Sequence, residues 1–314
     1  MRGLELARAY YEAHGAPMLW AQFPELMPKI AVGLFGSGSE CFGYDDDVSR
    51  DHDFEPGFML LLPGEEAVGR REAFLLERAY AKLPREFMGL RRGLTQPVGG
   101  PRRGVLRTGA FFAEKVGAPD GVLTVGQWLS TPEYALAEAV NGAIFHDGPG
   151  EVTAIRERLS GWPEDIRKKK LAGSLLLMAQ SGQYNYARCL AHGERGAAQL
   201  AAGDFVRHCM AAVFLLNGVH QPYYKWAFRA LRGLPRLSLL AEMMEYLLTT
   251  DNDGDMAAAK AEAIEGMAAD VIGELRAQGL TKADCGDLEK HAYSVNDGIR
   301  DGQLRNLHVL AAVQ

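Results

Sequence analysis

The chain has 314 residues, which is enough for two ordinary domains with one core each. Hydrophobic residues make up 47% and charged residues 24%, a balance that excludes an intrinsically disordered chain. The formal net charge of −6 gives no global basic footprint for nucleic-acid binding, although a nucleic-acid partner stays open. The first fifteen residues carry charge at helical spacing, unlike the apolar centre of a signal peptide.

Two further features concern the cellular environment of the chain. No run approaches 18 consecutive apolar residues, so we expect no membrane span. The four cysteines are scattered and form no C-x-x-C pair, a pattern typical of reduced thiols. We therefore predict a cytoplasmic protein.

The first part of the chain alternates helix and strand. The apolar run at 30–35 ends in Gly-Ser-Gly-Ser and predicts a buried strand that enters a glycine turn. Two further strands are expected at 58–62 and 105–112, and helices at 3–14 and 65–83. This order indicates a small mixed sheet with helices.

From Thr131 onward helical periodicity dominates, which predicts an all-α bundle. The helices expected there are 132–145, 151–159, 164–180, 184–200, 203–218, 222–231, 236–249 and 256–278. We therefore predict an α+β catalytic domain over residues 1–128, followed by a helical-bundle domain over residues 129–314.

One segment carries the chemistry. Gly36-Ser37 follows the first strand, and Asp51-His52-Asp53 lies just before or on the second. Residues two apart in a strand share a face, so Asp51 and Asp53 can converge on one magnesium ion. The glycine turn lets backbone N–H groups approach a triphosphate, and Ser37 or Ser39 can donate hydroxyl hydrogen bonds to it. These are the parts needed to hold a metal-bound nucleotide for in-line attack at phosphorus.

The same segment resembles a known superfamily. Gly-Ser followed after roughly nine to thirteen residues by Asp-x-Asp is the pattern of the DNA polymerase β-like nucleotidyltransferases. The longer stretches, Gly-Ser-x-Ser-Glu-Cys-Phe-Gly and Asp-Asp-x-x-Ser-Arg-Asp-His-Asp, resemble a bacterial two-domain branch related to the antibiotic nucleotidyltransferases. Weaker resemblance continues at 145–147, 162–165 and 223–226. The likeness covers about residues 25–235.

The resemblance implies roles for particular residues. Asp51 and Asp53 would hold Mg²⁺, and Ser37 and Ser39 would bind phosphate. A lysine from the helical domain contacts the triphosphate in the antibiotic-modifying relatives, and Lys225 is the candidate here. Structural alternatives exist, since the two serines could cap a helix and Lys225 could extend its ammonium to water.

Arg50 could also reach a phosphate, because its guanidinium can donate to two oxygens at once. The chain departs from the superfamily in one respect: the third carboxylate, often found on the following strand, has no counterpart in 105–112. The catalytic base is therefore open. The candidate acids near the site are Glu40, Asp45, Asp46, Asp47, Glu86 and Glu114.

We expect transfer of a nucleoside monophosphate, AMP from ATP with Mg²⁺, to an acceptor hydroxyl, with release of pyrophosphate. The expected acceptor is a small molecule. Two alternatives stay open, transfer to a macromolecule such as tRNA or a protein, and nucleotide binding without catalysis. A basic surface would favour the macromolecular acceptor, and its candidate residues are Arg91, Arg92, Arg102 and Arg103.

Overall fold

The computed structural model describes residues 2–46, 55–93 and 102–313. The chain divides into two compact units. The first comprises Met1–Gln127 and Thr131–Ser160, and the second Trp128–Ser130 and Gly161–Gln314. The first unit thus extends some thirty residues beyond the boundary expected at residue 128, because a strand after that position belongs to its sheet.

The first unit combines short strands with helices. Its strands are β1 (Ala31–Leu34), β2 (Met59–Leu62), β3 (Glu86–Phe87), β4 (Leu90–Arg91), β5 (Gly104–Arg107) and β6 (Ala143–Asp147). Its helices are α1 (Gly3–Tyr10), α2 (Ala16–Gln22), α3 (Ser39–Phe42), α4 (Arg70–Ala81), α5 (Thr108–Val116), α6 (Val125–Ser130, which continues into the second unit), α7 (Glu133–Val140) and α8 (Glu151–Ser160).

Four strands form one mixed sheet in the order β5-β2-β1-β6. Strand β1 is antiparallel to β2 and to β6, whereas β2 is parallel to β5. Every residue of β1 and β2 is buried, which explains their uninterrupted apolar sequences. The predicted α+β class with a small mixed sheet is confirmed.

An aromatic cluster supports the start of β2. The Phe58 ring is fully buried and packs against the rings of Tyr10, Tyr11 and Tyr80 at centroid distances of 5.0–6.0 Å. The Tyr80 hydroxyl donates to the Phe58 carbonyl at 2.8 Å and accepts from the Phe58 N–H at 3.1 Å. Burial raises the pKa of Tyr80 to about 12. The backbone that enters β2 is therefore held by a neutral phenol.

Two expected elements contain the wrong type of secondary structure in part of their range. The helix expected over 132–145 is α7 followed by β6, because Asn141 ends the helix and Gly142 adopts a left-handed backbone with φ +64°. The strand expected over 105–112 ends at Arg107, where α5 begins. Both errors concern apolar stretches in which helix and strand patterns are locally alike.

Helices alone make up the described part of the second unit beyond residue 161. They are α9 (Glu164–Met178), α10 (Ala187–Ala191), α11 (Arg195–Asn217), α12 (Tyr224–Arg232), α13 (Leu240–Thr249), α14 (Gly254–Ala277), α15 (Leu288–Asp297) and α16 (Gly302–Asn306). A π-helical segment, Ala179–Tyr186, joins α9 to α10.

The core of the second unit surrounds α9 and α11. Among the described residues, α11 is the one helix that is long and apolar enough to cross a membrane, judged by length and composition alone. Within its most apolar window, 67% of the residues are buried inside the structure. Its apolar surface therefore packs against the other helices of this unit.

Candidate active site

The Gly36-Ser37 turn lies beside the start of β2. Strand β1 ends two residues before Gly36, and its pairing with β2 places Gly33 opposite Met59. The predicted metal ligands Asp51 and Asp53, and the predicted phosphate contact Arg50, lie outside the described residues. The chain that follows them enters the sheet next to the turn.

Asn141, which follows the last residue of α7, binds the turn through its side chain. Its Oδ1 accepts from the Gly36 N–H at 2.8 Å, and its Nδ2 donates to the Gly36 carbonyl at 2.9 Å. Gly36 adopts φ +107°, a conformation that favours glycine. The Gly36 N–H, a predicted donor to phosphate, is thus hydrogen-bonded to Asn141.

A second contact joins the turn to α5 and α7. The Ser37 hydroxyl donates to Glu138 Oε2 at 2.8 Å. The Lys115 ammonium donates to the Ser37 hydroxyl oxygen at 2.9 Å and to the same Glu138 oxygen at 2.7 Å. The side chains of Lys115 and Glu138 are 16% and 12% exposed. Lys115, Ser37 and Glu138 thus form one hydrogen-bonded group, the Lys115 cluster.

A buried arginine links the two chain segments on either side of residues 47–54. Arg103 contacts Glu40 Oε1 on α3 at 3.3 Å and Glu55 Oε1 at 3.6 Å. The Glu55 carboxylate also accepts from the Gly93 N–H. Burial raises the pKa of Glu40, and the neighbouring guanidinium opposes that rise. Arg103 therefore holds the residues after the turn close to the residues before β2.

The described acids proposed as the base occupy different surroundings. Glu40 is buried in the Arg103 ion pair, and Asp45 accepts from the Gly3 N–H at 2.7 Å at the start of α1. Glu86 is exposed on β3. Glu114 is exposed on α5 and lines the same pocket as Ser37. Asp47 lies outside the described residues.

A pocket opens at the Gly36-Ser37 turn. Its described walls come from the residues that follow β1, from β2, from β5 and the residues before it, and from α5. The lining residues are Phe35, Gly36, Ser37, Met59, Arg102, Leu106, Arg107, Ala110, Phe111, Glu114 and Lys115. Three of these side chains are basic. Arg107 donates to the carbonyls of Pro63 and Val68 at 2.7 Å each, so it supports the loop after β2. The pocket thus combines a hydroxyl with cationic groups, a chemistry suited to an anion.

Ser39 and Lys225 complete the set of predicted contacts. Ser39 is the first residue of α3 and follows Gly38, which adopts φ +158°. Lys225 belongs to α12 in the second unit. Its side chain is exposed, and its ammonium lies 5.0 Å from the centroid of the Trp226 ring. A role of Lys225 in triphosphate binding stays a prediction from the resemblance.

Two of the weaker motif matches have structural roles. The Asp147 carboxylate accepts from the N–H and the hydroxyl of Thr153, both at 2.8 Å, and so stabilises the first turn of α8. The Asp165 carboxylate accepts from the backbone N–H groups of Arg300 and Asp301 at 2.9–3.2 Å. Both aspartates thus accept hydrogen bonds from groups within their own units.

The donor set for a metal ion depends on the aspartate pair. Within residues 2–46, 55–93 and 102–313, no group of three or more His, Cys, Asp and Glu side chains is arranged to hold a metal ion. The described carboxylates Glu40 and Glu138 are paired with Arg103 and Lys115. Carboxylate oxygens suit Mg²⁺, and Asp51 and Asp53 are the predicted donors.

Comparison with known proteins gives two matches. A family described as a domain of unknown function (DUF4037) matches residues 128–227, a range that contains Glu138, Asn141 and Lys225. No curated protein matches the chain. The chain is similar to the crystal structure of a nucleotidyltransferase-like protein from Exiguobacterium sibiricum 255-15, with 11% identity over 91% of this chain and 80% of that one and a TM-score of 0.39.

Proposed function

We propose that this chain is a magnesium-dependent nucleotidyltransferase that moves AMP from ATP to an acceptor hydroxyl and releases pyrophosphate. The observation that carries the proposal is the antiparallel pairing of β1 with β2. That pairing puts the Gly36-Ser37 turn next to the chain that follows Asp51 and Asp53. A hydroxyl for phosphate thus lies beside the strand that the two predicted metal ligands precede in the sequence, and this supports the proposal.

The chemistry assigns each group a task. Asp51 and Asp53 would hold Mg²⁺, which when bound supplies positive charge at the reacting phosphate. Ser37 and Ser39 would donate hydrogen bonds to phosphate oxygens. The acceptor oxygen forms a bond to the α-phosphorus as the bond to pyrophosphate breaks. Its proton passes to a carboxylate, and Glu114 is the described candidate because it is exposed in the pocket.

Two of the arginines expected on a basic surface make contacts within the first unit, which favours a small acceptor over a macromolecule. Of the four arginines expected on a basic surface, Arg103 is buried against Glu40 and Glu55. Arg92 donates to the carbonyls of Tyr80 and Ala81 at 3.2 and 3.1 Å. The Arg103 charge is thus paired in the interior, and the half-buried Arg92 has donors bound to backbone carbonyls, which reduces the basic surface available to RNA.

The test is pyrophosphate release from ATP and Mg²⁺ in the presence of aminoglycosides, sugars, total tRNA and denatured protein as separate acceptors. We expect release with a small hydroxyl-bearing acceptor and loss of release in Asp51→Asn and in Asp53→Asn. The control is Asp120→Asn, an exposed aspartate of the same unit. Binding of ATP without release across all acceptors would instead favour a non-catalytic nucleotide-binding protein.

A further inference from the structure

The ammonium of Lys115 lies in a polar wall of the pocket rather than in a surface ion pair. It is 2.9 Å from the Ser37 hydroxyl oxygen and 2.7 Å from Glu138 Oε2, with only 16% of its side chain exposed. An ammonium has three N–H donors. These two contacts use two of them, and the third has no acceptor among the described residues.

The position of this ammonium couples it to any anion that Ser37 binds. A phosphate oxygen within hydrogen-bond distance of the Ser37 hydroxyl lies within about 6 Å of an ammonium 2.9 Å from that hydroxyl. At that separation, in a partly buried pocket, opposite charges attract appreciably. The Glu138 carboxylate occupies the same donors with the same sign of charge as a phosphate.

We propose that Lys115 binds the polyphosphate of the nucleotide, and that Glu138 is an internal anion that competes with it. The proposal rests on the proposed function for the identity of the nucleotide. It adds a phosphate ligand from the first unit, distinct from Lys225. Glu138 keeps the Ser37 hydroxyl and the Lys115 ammonium in place before the nucleotide binds.

Neutral substitutions of Lys115 and of Glu138 should then change the affinity for polyphosphate in opposite directions. Lys115→Gln removes the positive charge, so polyphosphate should bind more weakly. Glu138→Gln keeps an oxygen that can accept from Ser37 and Lys115 but removes the competing charge, so polyphosphate should bind more tightly. A pair that serves only the packing of α5 against α7 gives no reason for opposite signs.

The experiment measures binding of inorganic tripolyphosphate and of ATP with Mg²⁺ by calorimetry to the full chain. We expect Lys115→Gln to weaken binding of both by about tenfold or more, as for loss of a charge-assisted hydrogen bond. Glu138→Gln should strengthen binding of both by about threefold or more, because a like charge is removed. Lys115→Arg should bind within about threefold of the wild type, since it retains the charge.

Two control variants separate a loss of binding from a loss of folding. The double variant Lys115→Gln with Glu138→Gln leaves no unpaired charge, and it should fold like the wild type yet bind as weakly as Lys115→Gln. Arg70→Gln is the matched control, because it removes a cation from an exposed ion pair with Glu65. It should leave polyphosphate binding unchanged.

The outcomes separate this inference from the proposed function. If the wild type binds ATP with Mg²⁺ through Asp51 and Asp53 but Lys115→Gln binds equally well, the Lys115 assignment is wrong and the function stands. If Lys115→Gln and Glu138→Gln weaken polyphosphate binding alike, Glu138 is not a competing anion. If tripolyphosphate binds through Lys115 while ATP does not bind, the proposed nucleotide substrate is wrong and the phosphate site stands. Absence of binding by every probe overturns both.

Discussion

The side-chain amide of Asn141 hydrogen-bonds both polar backbone groups of Gly36, at 2.8 and 2.9 Å. One residue at the end of α7 thus fixes the backbone at the start of the turn that carries Ser37. The same helix supplies Glu138, which accepts from the Ser37 hydroxyl. The conformation of the turn therefore depends on α7 as well as on the glycines within it.

Truncation of Asn141 should destabilise the turn. Asn141→Ala leaves the N–H and the carbonyl of Gly36 without these partners, and we expect the free energy of unfolding to fall by about 1–3 kcal/mol. Urea denaturation measures this. Asn185→Ala, which truncates an exposed asparagine, is the control and should change stability by less than about 0.5 kcal/mol. Equal stability of the two variants would show that the Asn141 bonds do not hold the turn.

Gly142 should tolerate substitution far less well than Gly150, although both adopt a left-handed backbone, with φ +64° and +71°. A Cβ at Gly142 meets the Leu34 carbonyl and lies 2.8 Å from the Phe35 Cα, whereas a Cβ at Gly150 meets nothing within 4 Å. Gly150→Ala should cost about 1–2 kcal/mol from backbone strain alone. Gly142→Ala should cost clearly more and should lower the expressed soluble yield. Similar melting temperatures for the two variants would contradict the close approach.

Loss of Arg103 should leave an unpaired buried carboxylate. The side chains of Arg103 and Glu40 are 8% and 9% exposed, so Arg103→Met should lower the free energy of unfolding by about 3–5 kcal/mol at pH 7. Burial already raises the pKa of Glu40, and loss of the Arg103 guanidinium should raise it further. The cost should therefore grow as the pH rises above the Glu40 pKa of the folded wild type, and shrink at lower pH where the carboxyl is protonated in both proteins.

Three comparisons test the arginine prediction by urea denaturation. The loss in Arg103→Met should be smaller at pH 4.5 than at pH 7. Adding Glu40→Gln should recover part of it. Arg70→Met, in an ion pair whose side chains are 85% and 55% exposed, should cost less than about 1 kcal/mol at either pH. A loss in Arg103→Met that does not depend on pH points to packing rather than to charge.

His208 should make the fold sensitive to acid. Burial lowers its pKa from 6.5 to about 4. Between these values the unfolded chain binds the proton and the folded chain does not. Titration of His208 therefore costs no unfolding free energy above pH 6.5. As the pH falls from 6.5 toward 4, it lowers the free energy of unfolding by up to about 1.4 kcal/mol per pH unit.

The measurement compares unfolding free energies at pH 7 and pH 5 for the wild type, His208→Gln and the exposed-histidine control His192→Gln. We expect a smaller loss between these two pH values in His208→Gln than in the wild type. The control should retain the dependence of the wild type. If His208→Gln and the wild type lose the same stability, the buried imidazole does not titrate in this way.

Local sequence patterns predicted much of the fold. The apolar runs of β1 and β2 and the long helix α14 carry signals that lie within a few neighbouring residues. Helix α11 was not predicted as such, because the break expected between helices 184–200 and 203–218 lies inside it. Strand β6 does not, because its pairing with β1 joins residues more than 100 positions apart. The alanine-rich stretch before β6 predicts a helix that continues through Gly142. The boundary expected at residue 128 precedes the end of the first unit for the same reason, because β6 belongs to the sheet of that unit.

The candidate site was predicted in part. The Gly36-Ser37 turn is recognisable because glycine and a hydroxyl follow an apolar strand. The Lys115 cluster and the Asn141 contact could not be found in this way, since they join the turn to residues 78 to 105 positions further along. Neither an isolated lysine in α5 nor an Asn-Gly pair carries a signal of its partner.

Calorimetric titration of ATP into the full chain, with Mg²⁺ and with EDTA, tests the proposed metal-dependent nucleotide site. If the chain is a magnesium-dependent nucleotidyltransferase, binding of ATP should require Mg²⁺ and should weaken by about tenfold or more in Asp51→Asn and in Asp53→Asn. Asp120→Asn should bind like the wild type. Equal affinity of the wild type and both aspartate variants for ATP, or no binding of ATP with Mg²⁺, would contradict the proposed function.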